Sequence, residues 1–121
     1  MGKKILVVDD SQSVRQQVSL ALQQAGYDII EAVDGEDGAA KINSQPDLSM
    51  VISDVNMPNL NGLEMLEKVS DKLKAGLPVV MLTTEGQPAL IKRAKAAGAK
   101  GWVVKPFKAA QLVATVDKLA R

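Results

Sequence analysis

Two hydrophobic patterns alternate along the chain. One is a short, nearly unbroken apolar run. Lys4-Ile-Leu-Val-Val8, residues 49–54 (Ser-Met-Val-Ile-Ser-Asp), Leu77-Pro-Val-Val-Met-Leu82 and Gly101-Trp-Val-Val104 are of this kind. Runs of this length, rich in β-branched residues and bounded by turn signals, predict strands, and the continuous run Lys4–Val8 has the pattern of one buried on both faces. Tyr27-Asp-Ile-Ile-Glu-Ala32 is shorter and less apolar, as suits an edge strand. The other pattern is helical spacing. Val14, Val18, Ala21, Leu22 and Ala25 recur after Ser11, which can act as an N-cap, and Gly26 ends that helix. Asp34-Gly-Glu-Asp37 can cap a second helix with a weak stripe of Ala39, Ala40 and Ile42.

Pro46 and Asp47 turn the chain into the strand 49–54, which Pro58 prevents from continuing. Asn61-x-x-Glu64 has capping-box form and opens a third helix lined by Leu63, Leu66, Val69 and Leu73, closed by Lys74-Ala-Gly76. Leu90, Ile91, Ala94 and Ala97 mark a fourth helix before Gly98, and Leu112, Val113, Val116 and Leu119 mark the last. Five strands alternating with five helices require parallel pairing through crossover helices. The expected fold is an α/β doubly wound sheet with helices on both faces. Residues 1–121 are expected to form one domain, with no linker, repeat or low-complexity segment.

That architecture gathers the carboxyl ends of the strands at one edge, where open α/β sheets bind ligands. The candidate functional residues all stand at such ends: Asp9 and Asp10, Asp54, Thr83 and Lys105. Composition narrows the chemistry. The chain has no cysteine and no histidine, which excludes disulfides, thiolate or imidazole metal sites, a Ser-His-Asp triad and phosphate carried on its own histidine. The N-terminal apolar run is too short for a signal peptide, and no stretch reaches the length of a membrane span. A cytoplasmic protein is the expectation. Net charge is +1, giving no bulk attraction for nucleic acid, yet the sign is unevenly spread. Residues 1–85 carry 7 Lys/Arg against 13 Asp/Glu (−6), and residues 86–121 carry 8 against 1 (+7).

Each candidate also has a plain explanation. Asp9-Asp10 can cap a helix, Asp54 can be a solvated strand-end aspartate, Thr83 can be a cap, and Lys105 can be a surface lysine before a turn. Together they say more. Converging carboxylates repel unless a cation lies beside them, and Mg²⁺ is commonly held by one or two carboxylates with waters and phosphate oxygens. A carboxylate becomes a nucleophile towards phosphorus when the phosphoryl oxygens are neutralised. A lysine over the same edge can pair first with carboxylate and then with phosphate, and Pro106 permits a cis peptide that aims it.

Strand-end Asp-Asp, Asp, Thr and Lys-Pro, in that order, resemble the receiver domain of bacterial two-component response regulators, above all the single-domain, CheY-like chemotaxis regulators. The resemblance spans essentially the whole chain. It rests on Asp9-Asp10, Asp54-x-x-Met57-Pro58 with Gly62, Thr83, and Lys105-Pro106-Phe107. It implies a flavodoxin-like strand order, 2-1-3-4-5. It further implies that Asp54 accepts a phosphoryl group from a histidine kinase. Mg²⁺ would be held by Asp10, Asp54 and the main-chain carbonyl of Asn56, with Asp9 assisting through water. Thr83 and Lys105 would contact the phosphoryl oxygens. Trp102 stands at the family's aromatic switch position, where Tyr or Phe is commoner, and a Trp packed permanently against the fourth helix is the alternative there. Asn56 and Glu85 fall at positions that modulate dephosphorylation.

The same resemblance makes the basic flank (Lys92, Arg93, Lys95, Lys100, Lys108 and Lys118) an output face for an acidic or amphipathic peptide, such as one from a flagellar motor switch protein. An ordinary solvated lysine face is the plain alternative. The implied partners are a histidine kinase, an output protein and a phosphatase, with the protein itself a monomer that catalyses only its own phosphorylation and dephosphorylation. A phosphorelay intermediate and an excised receiver of a larger regulator are alternatives within the family. A Mg²⁺-dependent phosphatase with an aspartyl nucleophile is a rival outside it, but Asp54-Val-Asn56 lacks that chemistry's second acid. A flavin carrier would need more aromatics than Tyr27, Trp102 and Phe107. Intact Asp10, Asp54, Thr83 and Lys105 argue against a module that is never phosphorylated.

Overall fold

Chain connectivity first lays a strand down on one side of the first, then returns to build on the other side. The computed structural model describes residues 2–84 and 86–121. Its strands are β1 (Lys4–Val8), β2 (Asp28–Ala32), β3 (Leu48–Ser53), β4 (Val79–Thr83) and β5 (Gly101–Val104). They form one sheet in the order β2-β1-β3-β4-β5, with every neighbouring pair parallel. This is the order that the resemblance implies. The reversal of direction lies at β1, so the crevice for a ligand opens beyond the carboxyl ends of β1 and β3.

The helices are α1 (Gln12–Gln24), α2 (Gly35–Ser44), α3 (Gly62–Lys68), α4 (Ser70–Lys74), α5 (Pro88–Ala96) and α6 (Ala109–Leu119). Side chains on a strand alternate between faces, and the core divides accordingly. Ile5 and Val7 join Val18 and Leu22 of α1 with Leu112 and Val116 of α6. Leu6 and Val8 join Ala39 and Ile42 of α2, Leu63 and Leu66 of α3, Leu73 of α4 and Ala94 of α5. The central strands β1, β3 and β4 are buried from end to end apart from Lys4, whereas the edge strand β2 keeps Asp28 and Glu31 exposed.

The structure corrects the helix count. One continuous third helix is expected from the sequence, but the segment divides at Val69, whose φ of −109° and ψ of 25° leave the helical region. Val69 still bonds back to Met65 O and accepts from Lys72 N, so the two short helices follow one another without a loop. The weak stripe of α2 also has a cause. A Cβ on Gly38 would lie 2.7 Å from Met65 Sδ and 3.1 Å from Val8 Cγ1, so α2 packs closely through small residues instead of large ones. Gly26 (φ 95°) and Gly98 (φ 109°) close α1 and α5 in the left-handed region that favours glycine.

Candidate functional site

Backbone ladders deliver the acidic residues to one place. Asp54 N donates to Val8 O at 3.0 Å and Asp9 N donates to Ala32 O at 3.1 Å, so both residues stand one step past the ends of adjacent strands. Asp9 is 2% exposed and Asp54 8%. Asp10 is exposed. Carboxylate oxygens of Asp9, Asp10 and Asp54 lie within 4.8 Å of one another. The close approach of the following helix depends on Gly62: a Cβ there would sit 2.0 Å from Asp54 O. Asn61 secures that helix with its capping box, accepting from Glu64 N at 2.9 Å while Asn61 N donates to Glu64 Oε1 at 3.1 Å.

Lys105 arrives from the end of β5. Its backbone N donates to Thr83 O at 2.8 Å, and its Nζ bridges Asp9 Oδ2 at 2.9 Å and Asp54 Oδ2 at 3.1 Å. The Lys105–Pro106 peptide is cis. The other carboxylate oxygens take main-chain donors: Ser11 N to Asp9 Oδ1 at 2.9 Å, and Val55 N to Asp54 Oδ1 at 2.7 Å. Burial pushes the Asp9 carboxyl up, and the Asp54 charge adds to this, against the lowering effect of Lys105 and Ser11 N. For Lys105, burial works to lower the ammonium, but the Asp9 hydrogen bond and the charges of Asp54 and Asp9 outweigh it and the net displacement is upward. The lysine therefore stays charged. One ammonium bonds two of three clustered carboxylates, and a surplus of negative charge is left.

Oxygen-only donors with uncompensated charge suit a small hard cation, and exposed Asp10 leaves a solvent side for the waters that Mg²⁺ retains. The residues present fit such an ion. Thr83, fully buried, ends β4 beside this edge, and Asn56 is exposed in the loop after β3. Trp102 lies opposite Met81 in the β4–β5 register. It is half-buried and packs on the core face that holds Leu90, Ala94 and Ala97. Glu85 lies outside the described residues. Lys92, Arg93, Lys95, Lys100, Lys108 and Lys118 are all exposed on or next to α5, β5 and α6, and Arg93 pairs with Glu67 at 3.0 Å.

One residue at the edge carries no mark in the sequence. Arg15 donates from Nη1 to the main-chain O of Asp9 at 2.7 Å and from Nε to Glu31 Oε1 at 3.0 Å. In an amphipathic helix an arginine reads as solvent-facing, and the apolar spacing of α1 gives no hint that it turns back over β1.

Residues 5–117 match the family model described as the response regulator receiver domain. The chain belongs to this family. The receiver is 41% identical over 106 residues to the chemotaxis protein CheY1 of Helicobacter pylori, covering 86% of each chain. It is 39% identical to the chemotaxis protein CheY homolog of Campylobacter jejuni, over 86% of this chain and 82% of that one. Among solved structures, Vibrio cholerae chemotaxis protein CheY4 superimposes with a TM-score of 0.89 at 41% identity, covering 98% of the receiver and 99% of that chain. A chain of the CheX–CheY–BeF3–Mg²⁺ complex from Borrelia burgdorferi superimposes with a TM-score of 0.89 at 28% identity, covering 98% and 90%. No helix among the described residues is long and apolar enough to cross a membrane.

Proposed function

We propose that residues 1–121 form a single receiver unit that acts as a phosphorylation-switched signalling protein, in which Asp54 takes a phosphoryl group from the phosphohistidine of a kinase. The observation that carries this reading is the Lys105 ammonium bridging Asp9 and Asp54 while all three carboxylates crowd within 4.8 Å. Such a pocket has surplus negative charge and one cationic arm. In the transfer, an Asp54 carboxylate oxygen forms the new O–P bond as the donor's N–P bond breaks, and the bonding pair stays on the imidazole nitrogen, which is protonated. Asp10, Asp54 and the main-chain carbonyl of Asn56 would hold Mg²⁺, with Asp9 assisting through water. When bound, that ion supplies the positive charge that lets carboxylates and a phosphoryl group share one pocket.

Lys105 exchanges a carboxylate partner for a phosphoryl oxygen, and the Thr83 hydroxyl donates to another. Catalysis is then mostly positioning and charge neutralisation. Hydrolysis returns the carboxylate when water attacks phosphorus and the O–P bond to Asp54 breaks, with Asn56 and Glu85 modulating its rate. Thr83 drawn towards the phosphate biases Trp102 between two packings, and that alters the surface of α5, β5 and α6. This surface, basic and bearing half-exposed Val104, receives an acidic or amphipathic segment of an output partner.

The chemotaxis relatives favour a flagellar motor switch protein as that partner, with the receiver working as a cytoplasmic monomer. The CheX–CheY complex favours a phosphatase as a further partner. The receiver is a switch, with no reaction beyond its own phosphorylation and dephosphorylation. Its single tryptophan supplies the test. Emission of Trp102 is followed while Mg²⁺ and then beryllofluoride are added to the native protein and to Asp54→Asn. A donor-dependent change that requires Mg²⁺ and is lost in the variant is expected. An equal response from both proteins would refute the reading.

A further inference from the structure

We propose, resting on the cation-dependent function above, that Arg15, braced by Glu31, is a positioning residue that fixes the Asp9–Asp10 peptide and so sets the acidic pocket for a divalent cation. Arg15 belongs to the first turn of α1, where its backbone N donates to Ser11 O at 3.0 Å. Its side chain is only 12% exposed. Its guanidinium makes two contacts in different directions: Nη1 to Asp9 O at 2.7 Å and Nε to Glu31 Oε1 at 3.0 Å. Glu31 lies on β2, opposite Val7 of β1. A planar fork whose donors are fixed relative to one another holds such a pair of acceptors at a defined angle, which a lysine ammonium cannot do. One side chain therefore ties together α1, the end of β1 and β2.

The consequence follows from peptide planarity. The carbonyl of Asp9 and the N–H of Asp10 share one rigid plane. Holding the carbonyl oxygen fixes the rotation of that plane, and with it the direction in which Asp10 leaves the strand end. Asp9 is secured at its other polar atoms, through Ala32 O, Ser11 N and Lys105 Nζ. Asp10 is exposed, and the peptide it shares with Asp9 is what carries its carboxylate to within 4.8 Å of Asp54 and Asp9.

A guanidinium near an acidic pocket has two effects of opposite sign. As a charge it repels an incoming cation, and as a clamp it pre-arranges the oxygens that receive one. Here the charge is paired with Glu31 and the pocket atom that the guanidinium bonds is a carbonyl, so the clamp is expected to prevail. Removing partners that orient metal ligands typically weakens binding 10–100-fold, so a loss on the order of tenfold is expected for Arg15.

Calorimetric titration of Mg²⁺ into native protein, Arg15→Ala, Glu31→Gln, the double variant and Asp10→Asn tests this. It is run where circular dichroism and Trp102 emission show each protein folded, so a merely structural role would leave the dissociation constant unmoved. Arg15→Ala should weaken binding roughly tenfold, Glu31→Gln should weaken it less, and the double variant should be no worse than Arg15→Ala alone. Unchanged or tighter binding by Arg15→Ala overturns the proposal, and fully additive losses overturn the bracing by Glu31. Should Arg15→Ala not fold, Glu31→Gln decides, and an unchanged constant there also overturns it. A native protein that binds no Mg²⁺, or binds it equally well as Asp10→Asn, brings down the cation-dependent reading itself. Native and Asp10→Asn proteins behaving as expected beside an unaffected Arg15→Ala sink only the role of Arg15.

Discussion

Ser19 is buried on α1, and its hydroxyl has no hydrogen-bond partner among the described residues. It sits beside Val18, one position off the stripe that the apolar spacing defines, so nothing in the sequence separates it from a solvent-facing serine. A buried hydroxyl without a partner has lost its water and gained nothing in return. Ser19→Ala should therefore stabilise the protein by about 1 kcal/mol, with helix propensity adding to the gain. A urea unfolding midpoint that falls would contradict this. Tyr27 offers a second residue-scale check. Burial, followed by its hydrogen bond to Asp117 and that carboxylate's charge, pushes its phenol from 10.0 to about 12. A phenol raised in the folded state contributes stability that is complete below pH 10 and lost as the pH climbs through 12. Absorbance titration of this only tyrosine should show a midpoint near 12 that falls back towards 10 in Asp117→Asn.

At the scale of elements, the joint between β3 and α3 is the most constrained. Gly62 N donates to Val55 O at 2.8 Å, and its missing side chain lets the first turn of α3 rest against Asp54 O. Gly62→Ala forces main-chain movement beneath Asp54, at a cost of about 1–3 kcal/mol or more. Gly86→Ala is the control, because among the described residues its added Cβ meets only Val104 Cγ2, at 4.0 Å. Chemical denaturation of the two variants should separate them clearly, and similar midpoints would show that the approach is not tight.

The elements also show why part of the fold is legible in the sequence and part is not. Strands β1, β3 and β4 announce themselves because both faces are buried, which forces a continuous apolar run. The caps at Ser11 and Asn61 are local chemistry and are found where the sequence puts them. The break at Val69 is hidden because Leu66, Val69 and Leu73 keep helical spacing straight across it. Strand order depends on long-range pairing, which no local pattern encodes, and only the family resemblance supplied it. Asp9, Asp10, Asp54 and Lys105 were visible as strand-end residues, and the sheet brings them together. Arg15 was invisible because its contacts run to a carbonyl and to a neighbouring strand.

Across the whole molecule the charge is dipolar. The surplus of carboxylates at the sheet edge would favour a bound cation, and the exposed lysines on α5 and α6 carry the opposite sign, the one the proposed output partner would meet. Exposed charges act over about a Debye length, roughly 8–10 Å in ordinary buffers, so docking at the basic flank should weaken as salt rises. Substituting Lys92→Glu with Lys95→Glu should reduce both the affinity for an acidic output peptide and its salt dependence, read by fluorescence anisotropy. Unchanged, salt-independent binding would place the output surface elsewhere.

The most direct measurement is mass spectrometry of the protein incubated with acetyl phosphate and excess Mg²⁺, with the modified side chain located by fragmentation. The expected result is one phosphoryl group, on Asp54, absent when Mg²⁺ is chelated and absent from Asp54→Asn. Phosphate on any other side chain, or none under saturating donor and cation, would contradict it.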